Sequence, residues 1–94
     1  MRMIEWTSAF KRDYKRMRKD PRHRDVVTLL PAVTNLLAND RPLQDRHRDH
    51  PLMGQWQDHR ECHLKPDLLL IYRKPDAGTL RLVRLGSHSD LFDR

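Results

Sequence analysis

Only one cysteine, Cys62, occurs in the 94 residues. That excludes an internal disulfide framework and a cysteine-rich zinc site, and it fits a reducing compartment. Long apolar runs are also missing: none approaches the length needed to span a bilayer. Charges at Arg2, Glu5, Lys11 and Arg12 leave no apolar signal-peptide core near the start. There is no internal repeat and no low-complexity linker. These absences predict one soluble, cytoplasmic domain over residues 1–94.

Charge is what the chain has in quantity. Charged residues make up 34% and hydrophobic ones 37%, so the core is expected to be modest, though organised enough to argue against disorder. The formal net charge is +6, which favours a polyanionic partner: nucleic acid, an acidic protein or an anionic surface. All of that excess lies between Lys11 and Arg24, where eight Lys/Arg face two Asp. A helix carrying Lys11, Arg12, Lys15, Arg16, Arg18 and Lys19 on its polar side would make a phosphate-tracking surface.

The pattern of apolar residues predicts an α+β fold. Met3 to Trp6 reads as a strand. Thr7 or Ser8 can cap a helix whose apolar stripe is Phe10, Tyr14 and Met17, ended by Asp20-Pro21. A second helix starts near Asp25 on the stripe Val26, Leu29, Leu30, Val33, Leu36 and Leu37, with Pro31 inside it predicting a kink or a late start. Arg41 to Met53 reads as a loop. Gln55–Leu64, Leu68–Arg73 and a stretch around Leu80–Leu85 read as three strands joined by tight turns, hence as an antiparallel meander. The two helices would cover one face of the antiparallel sheet and leave the other free. Trp56 and Tyr72 are expected in the core.

Six histidines raise the question of chemistry. His59 and His63 have zinc-like spacing, but on one strand they would sit roughly 13 Å apart and could not share an ion. Acid–base chemistry needs a base, an acid and a cation for phosphate charge. In a three-stranded meander the end of the first strand, the start of the second and the end of the third meet at one sheet edge. That places His63, Asp67 and His88 together, with Arg84 directed to the same region and His50 just ahead of the sheet. The bland readings are solvated histidines, Asp67 as a turn residue and Arg84 paired with Glu61. Phe92, on a polar tail, has the character of a base-stacking ring.

Three stretches, "DHPLMGQW", "HLKPDLLLIYR" and "RLGSHSDLF", together resemble the YafQ-type branch of the RelE superfamily of toxins, over almost the whole chain. The resemblance implies a RelE-like fold and a ribosome-dependent endoribonuclease that cuts mRNA and stops translation. It places the family's acid–base residues on His50, His63, Asp67 and His88, its phosphate-stabilising arginine on Arg84 and its terminal aromatic on Phe92. The implied partners are the 70S ribosome, mRNA and a cognate DNA-binding antitoxin with an acidic C-terminal segment, with no membrane, no cofactor and no metal. Leu68 stands where an aromatic is common, a change expected to alter base stacking, and Cys62 where small residues are usual. His23, His47 and His59 match no role and are expected at the surface. Two other classes remain alongside: a metal-dependent nuclease using the same residues, and a non-catalytic basic nucleic-acid-binding module.

Overall fold

Thr7 ties the first helix to the sheet. Its Oγ1 accepts from the Phe10 amide at 3.0 Å, an N-cap bond, and donates to the Val83 carbonyl at 2.9 Å. In the computed structural model, which describes residues 1–92, strand β1 (Met3–Trp6) leads through this cap into helix α1 (Ser8–Lys19). Helix α2 (Val26–Ala38) follows. It starts where the apolar stripe starts, so Pro31 does not delay it. The carbonyl that Pro31 leaves without an amide is that of Val27, an exposed residue, where water can substitute.

Strands β2 (His50–Pro51), β3 (Arg60–Lys65), β4 (Leu68–Arg73) and β5 (Thr79–Gly86), then the short helix α3 (His88–Phe92), complete the order. The sheet runs β1-β5-β4-β3-β2. The β3–β4–β5 meander is antiparallel, as expected. Two expectations change. First, β1 pairs parallel with β5, Met3 opposite Thr79 through Trp6 opposite Leu82, so the sheet is mixed; the long helical connection permits this where a tight turn would not. Second, β3 begins at Arg60 and not at Gln55. Gly54–Trp56 is a 3-10 turn and Asp58 has φ 73°, a left-handed residue that breaks the extended run. His59 is therefore off the strand, and half-buried Trp56 is not core, whereas Tyr72 is.

Helices α1 and α2 pack through Phe10, Met17, Leu30 and Leu37 on the sheet face that carries Cys62, Leu70, Tyr72 and Leu85. Alternation along β4 turns Leu69 and Ile71 to the other face. That face is not bare, because both residues are fully buried. Their cross-strand partners are His63 and Gly86 for Leu69, and Glu61 and Arg84 for Ile71. Two aliphatic residues thus form a dry floor ringed by the side chains that carry chemistry. No helix among the described residues is long and apolar enough to cross a membrane.

Candidate active site

The site forms where β3 turns into β4 beside the end of β5. His63 sits near the end of β3, at a bulge between His63 and Lys65, and Pro66-Asp67 make the turn. Opposite, Gly86 ends β5 and Ser87 caps α3. Ser87 and Asp90 form a reciprocal capping box: the Ser87 amide donates to Asp90 Oδ2 at 3.0 Å and the Asp90 amide donates to Ser87 Oγ at 3.1 Å. A Cβ at position 86 would lie 2.9 Å from the Asp90 Cβ, so glycine is what lets α3 fold back this closely.

That fold-back delivers His88. Its amide and its Nδ1–H both donate to Asp67 Oδ1, at 3.2 and 3.1 Å. The two hydrogen bonds hold the Asp67 carboxyl below its usual range, so it stays ionised, and they fix the tautomer that leaves Nε2 outward. The rings of His63 and His88 meet edge to face with centroids 5.7 Å apart. Burial lowers the His63 pKa, and the charges of His88 and Arg48 push the same way while Glu61 opposes them. Both imidazoles line a cleft of about 460 Å³ with Arg46, Arg48 and Pro66.

His50 joins through Glu61, a residue that sequence patterning offered only as a partner for Arg84. The His50 Nδ1–H donates to the Arg48 carbonyl at 2.5 Å, and its Nε2 lies 3.4 Å from Glu61 Oε1. His63 Nε2 is 3.7 Å from that same oxygen. Glu61 is only 5% exposed, so a buried carboxylate stands between two histidines. The signal was available: Glu61 and His63 are two apart on one strand and share a face.

Arg84 does not pair with Glu61. Its Nε and Nη2 donate to Asp13 of α1 at 2.7 and 3.2 Å, and the Leu85 amide donates to the same carboxylate at 2.9 Å. Asp13 is buried. It directs the guanidinium toward α1, at the border of the site. Of the six α1 cations, all are exposed, but Arg16 lies 3.6 Å from Asp13 and 3.7 Å from Asp90, so it is partly engaged. Phe92 is half-buried one helical turn beyond His88.

Two histidines expected at the surface are buried instead. His47, in a 3-10 turn at Asp45–His47, donates its Nδ1–H to the His63 carbonyl at 2.6 Å. His23 is 5% exposed in the loop between α1 and α2. His59 packs edge-on against Trp56. Leu68 is fully buried in the core, so its substitution for an aromatic does not remove a ring from the cleft.

A family model described as bacterial toxin of type II toxin–antitoxin system, YafQ, matches residues 2–93. The chain belongs to the YafQ family. It is 40% identical over 91 residues to the mRNA interferase toxin YafQ of Escherichia coli K12, covering 97% of this chain and 96% of that one. The crystal structure of a metal-bound toxin from Helicobacter pylori superposes with a TM-score of 0.87 at 49% identity, over 98% of this chain and all of the other. YafQ in the E. coli DinJ–YafQ complex gives 0.84 at 38% identity, over 98% and 99%. The α+β fold, the meander and the helices on one face are thus those of YafQ toxins.

Proposed function

We propose that this YafQ-family chain is an endoribonuclease toxin that cleaves mRNA on the ribosome and so inhibits translation. The observation that carries the proposal is the His63–His88 pair, with His88 oriented by Asp67, at the mouth of a cationic cleft. The reaction is attack of an RNA 2′-OH on its own phosphate. His63, kept neutral by burial, takes the 2′-OH proton, and His88, when it carries a proton on both nitrogens, gives the one on Nε2 to the leaving 5′ oxygen while Asp67 holds its ring through Nδ1–H. Glu61 places His50 beside His63, so His50 is the second group able to accept that proton. Arg84, steadied by Asp13, offers charge to the phosphate as it becomes more negative. Phe92 stacks on a base, and the cations of α1 follow the RNA or ribosome backbone.

The Helicobacter relative was crystallised with metal. Among the described residues here, no group of three His, Cys, Asp or Glu side chains has the arrangement of a metal-ligand set, and the reaction proposed above uses side chains alone. The partner is a cognate antitoxin, as in the DinJ–YafQ complex. An acidic segment laid over α1 and the cleft would neutralise both cationic surfaces. The test is induction of the chain alone in bacteria. Growth should arrest and mRNA should be cut at fixed positions within codons. Undiminished growth with abundant folded protein would refute the reading.

A further inference from the structure

We propose that Arg46 and Arg48 grip a phosphate of the RNA strand lying in the cleft between His63 and His88, a cationic contact additional to Arg84. The inference rests on the nuclease reading and names how the same site holds its substrate.

The first support is composition. The cleft's five lining residues include two guanidiniums and two imidazoles and no carboxylate, which suits an anion. The second is availability. Arg16, Arg22, Arg60, Arg81 and Arg84 each stand within 3.6 Å of an acidic oxygen. Arg46 and Arg48 make no ion pair among the described residues, and both are exposed. Of the acidic residues beside them, Asp45 forms an ion pair with neither, and Asp49 is occupied, accepting from the Tyr72 hydroxyl at 2.6 Å and from Arg60 Nε at 3.2 Å. Arg84 is itself committed to Asp13, so the cleft has charge to supply beyond what that residue can give.

The third support is rigidity. His47, between the two arginines, is buried and bonded to the His63 backbone, so the turn is fixed relative to the catalytic ring. Arg48 is left-handed, φ 47° and ψ 44°, with its amide donating to the Asp45 carbonyl at 3.0 Å and its carbonyl accepting from His50. A non-glycine residue held in that region is a local strain of the kind that collects at functional sites. The same turn therefore presents two cations and positions His50.

The left-handed backbone supplies a clean variant. Arg48→Gly removes the guanidinium while fitting the conformation better, so its melting temperature should hold. Arg46→Ser is its companion, and Arg41→Ser, an exposed arginine outside the cleft, controls for net charge. The probe is a single-stranded RNA oligonucleotide with every 2′-OH methylated, which cannot undergo the attack, titrated by fluorescence anisotropy at several salt concentrations. Arg46→Ser and Arg48→Gly should each weaken binding about tenfold, as expected for an exposed charge-assisted contact. The slope of log K against log salt should flatten by about 0.7 for each phosphate that is no longer neutralised. Arg48→Lys should retain most of the affinity, and Arg41→Ser should change neither quantity.

Arginine variants that bind and cleave like Arg41→Ser would overturn the inference, as would a wild-type chain that does not bind the oligonucleotide. Unchanged oligonucleotide affinity with weakened ribosome association would assign the contact to ribosomal RNA and also overturn it. Should the wild type bind through these arginines yet fail to cut mRNA on translating ribosomes, the nuclease reading falls and the phosphate grip stands.

Discussion

Replacing Asp13 by alanine should damage stability more than any other change at the edge of the site. The carboxylate accepts three hydrogen bonds, from the Leu85 amide at 2.9 Å and from Arg84 at 2.7 and 3.2 Å. Its side chain is 4% exposed and that of Arg84 29% exposed. Removing one partner of a buried pair typically costs about 3–5 kcal/mol, because the other charge is left unmatched. Here the Leu85 amide is orphaned as well: β1 ends at Trp6, opposite Leu82, so no strand pairs that side of β5 beyond it. For a domain of this size each kcal/mol moves Tm by roughly 4–8 °C, which gives a drop of roughly 12–40 °C. Asp13→Asn keeps an oxygen for the Leu85 amide and loses the charge, so its cost should be smaller, about 1–3 kcal/mol. The assays are thermal melting and urea unfolding followed by circular dichroism, with both midpoints falling and the urea slope unchanged. Cleavage by the Asn variant, measured well below its Tm, should also fall, because Arg84 loses its anchor. A Tm for Asp13→Ala within about 3 °C of the wild type would refute the reasoning, since so small a shift corresponds to less than about 1 kcal/mol.

The Asp67–His88 pair should behave in the opposite way. Both side chains are more than half exposed, so their contact is worth little to folding; His88→Ala should reduce cleavage by about 10²–10⁴-fold and Asp67→Asn by less, with Tm nearly unchanged in both. Burial sets the His63 pKa below 6.5, so between that lowered value and 6.5 the unfolded chain binds a proton that the folded one does not. Stability should therefore rise with pH through this window and be lost on acidification, and His63→Gln should remove that component from a Tm-versus-pH series. Asp67, held below 3.8, contributes stability that is lost only at more acid pH, as it falls through the lowered carboxyl value, so the two windows are separable. Phe92→Leu should lower cleavage by roughly 5- to 150-fold if the ring stacks on a base, since such stacking is worth about 1–3 kcal/mol, while Phe92→Trp should keep most activity; equal activity of the Leu variant and the wild type would show that the ring only packs.

Much of the candidate site's layout was legible because a meander's edges follow from its turns. Pro66-Asp67 and Pro75 to Gly78 mark where the chain reverses, and those reversals alone bring His63, Asp67 and His88 to one edge. The Arg60 start of β3 was not legible, because it depends on a left-handed Asp58 that no periodicity announces. The parallel pairing of β1 was also hidden, since four residues joined to the rest by two helices carry no directional signal. His23 and His47 read as surface residues because burial of a polar ring depends on partners distant in the chain, such as the His63 carbonyl for His47.

The sequence by itself determined helices α1 and α2, strands β1, β4 and β5, the cationic stripe of α1 and most of the side chains able to move protons, because periodicity, turn chemistry and charge are local properties. Tertiary structure decided which of those side chains touch. Glu61 became the link between His50 and His63 when β2 paired with β3. Asp13 claimed Arg84 because α1 runs along the side of β5 that β1 leaves unpaired. The two arginines flanking His47 line the cleft on a turn that this histidine ties to the His63 carbonyl. Each is a contact between residues far apart in the chain, set by packing and burial together, and a local pattern carries no record of it.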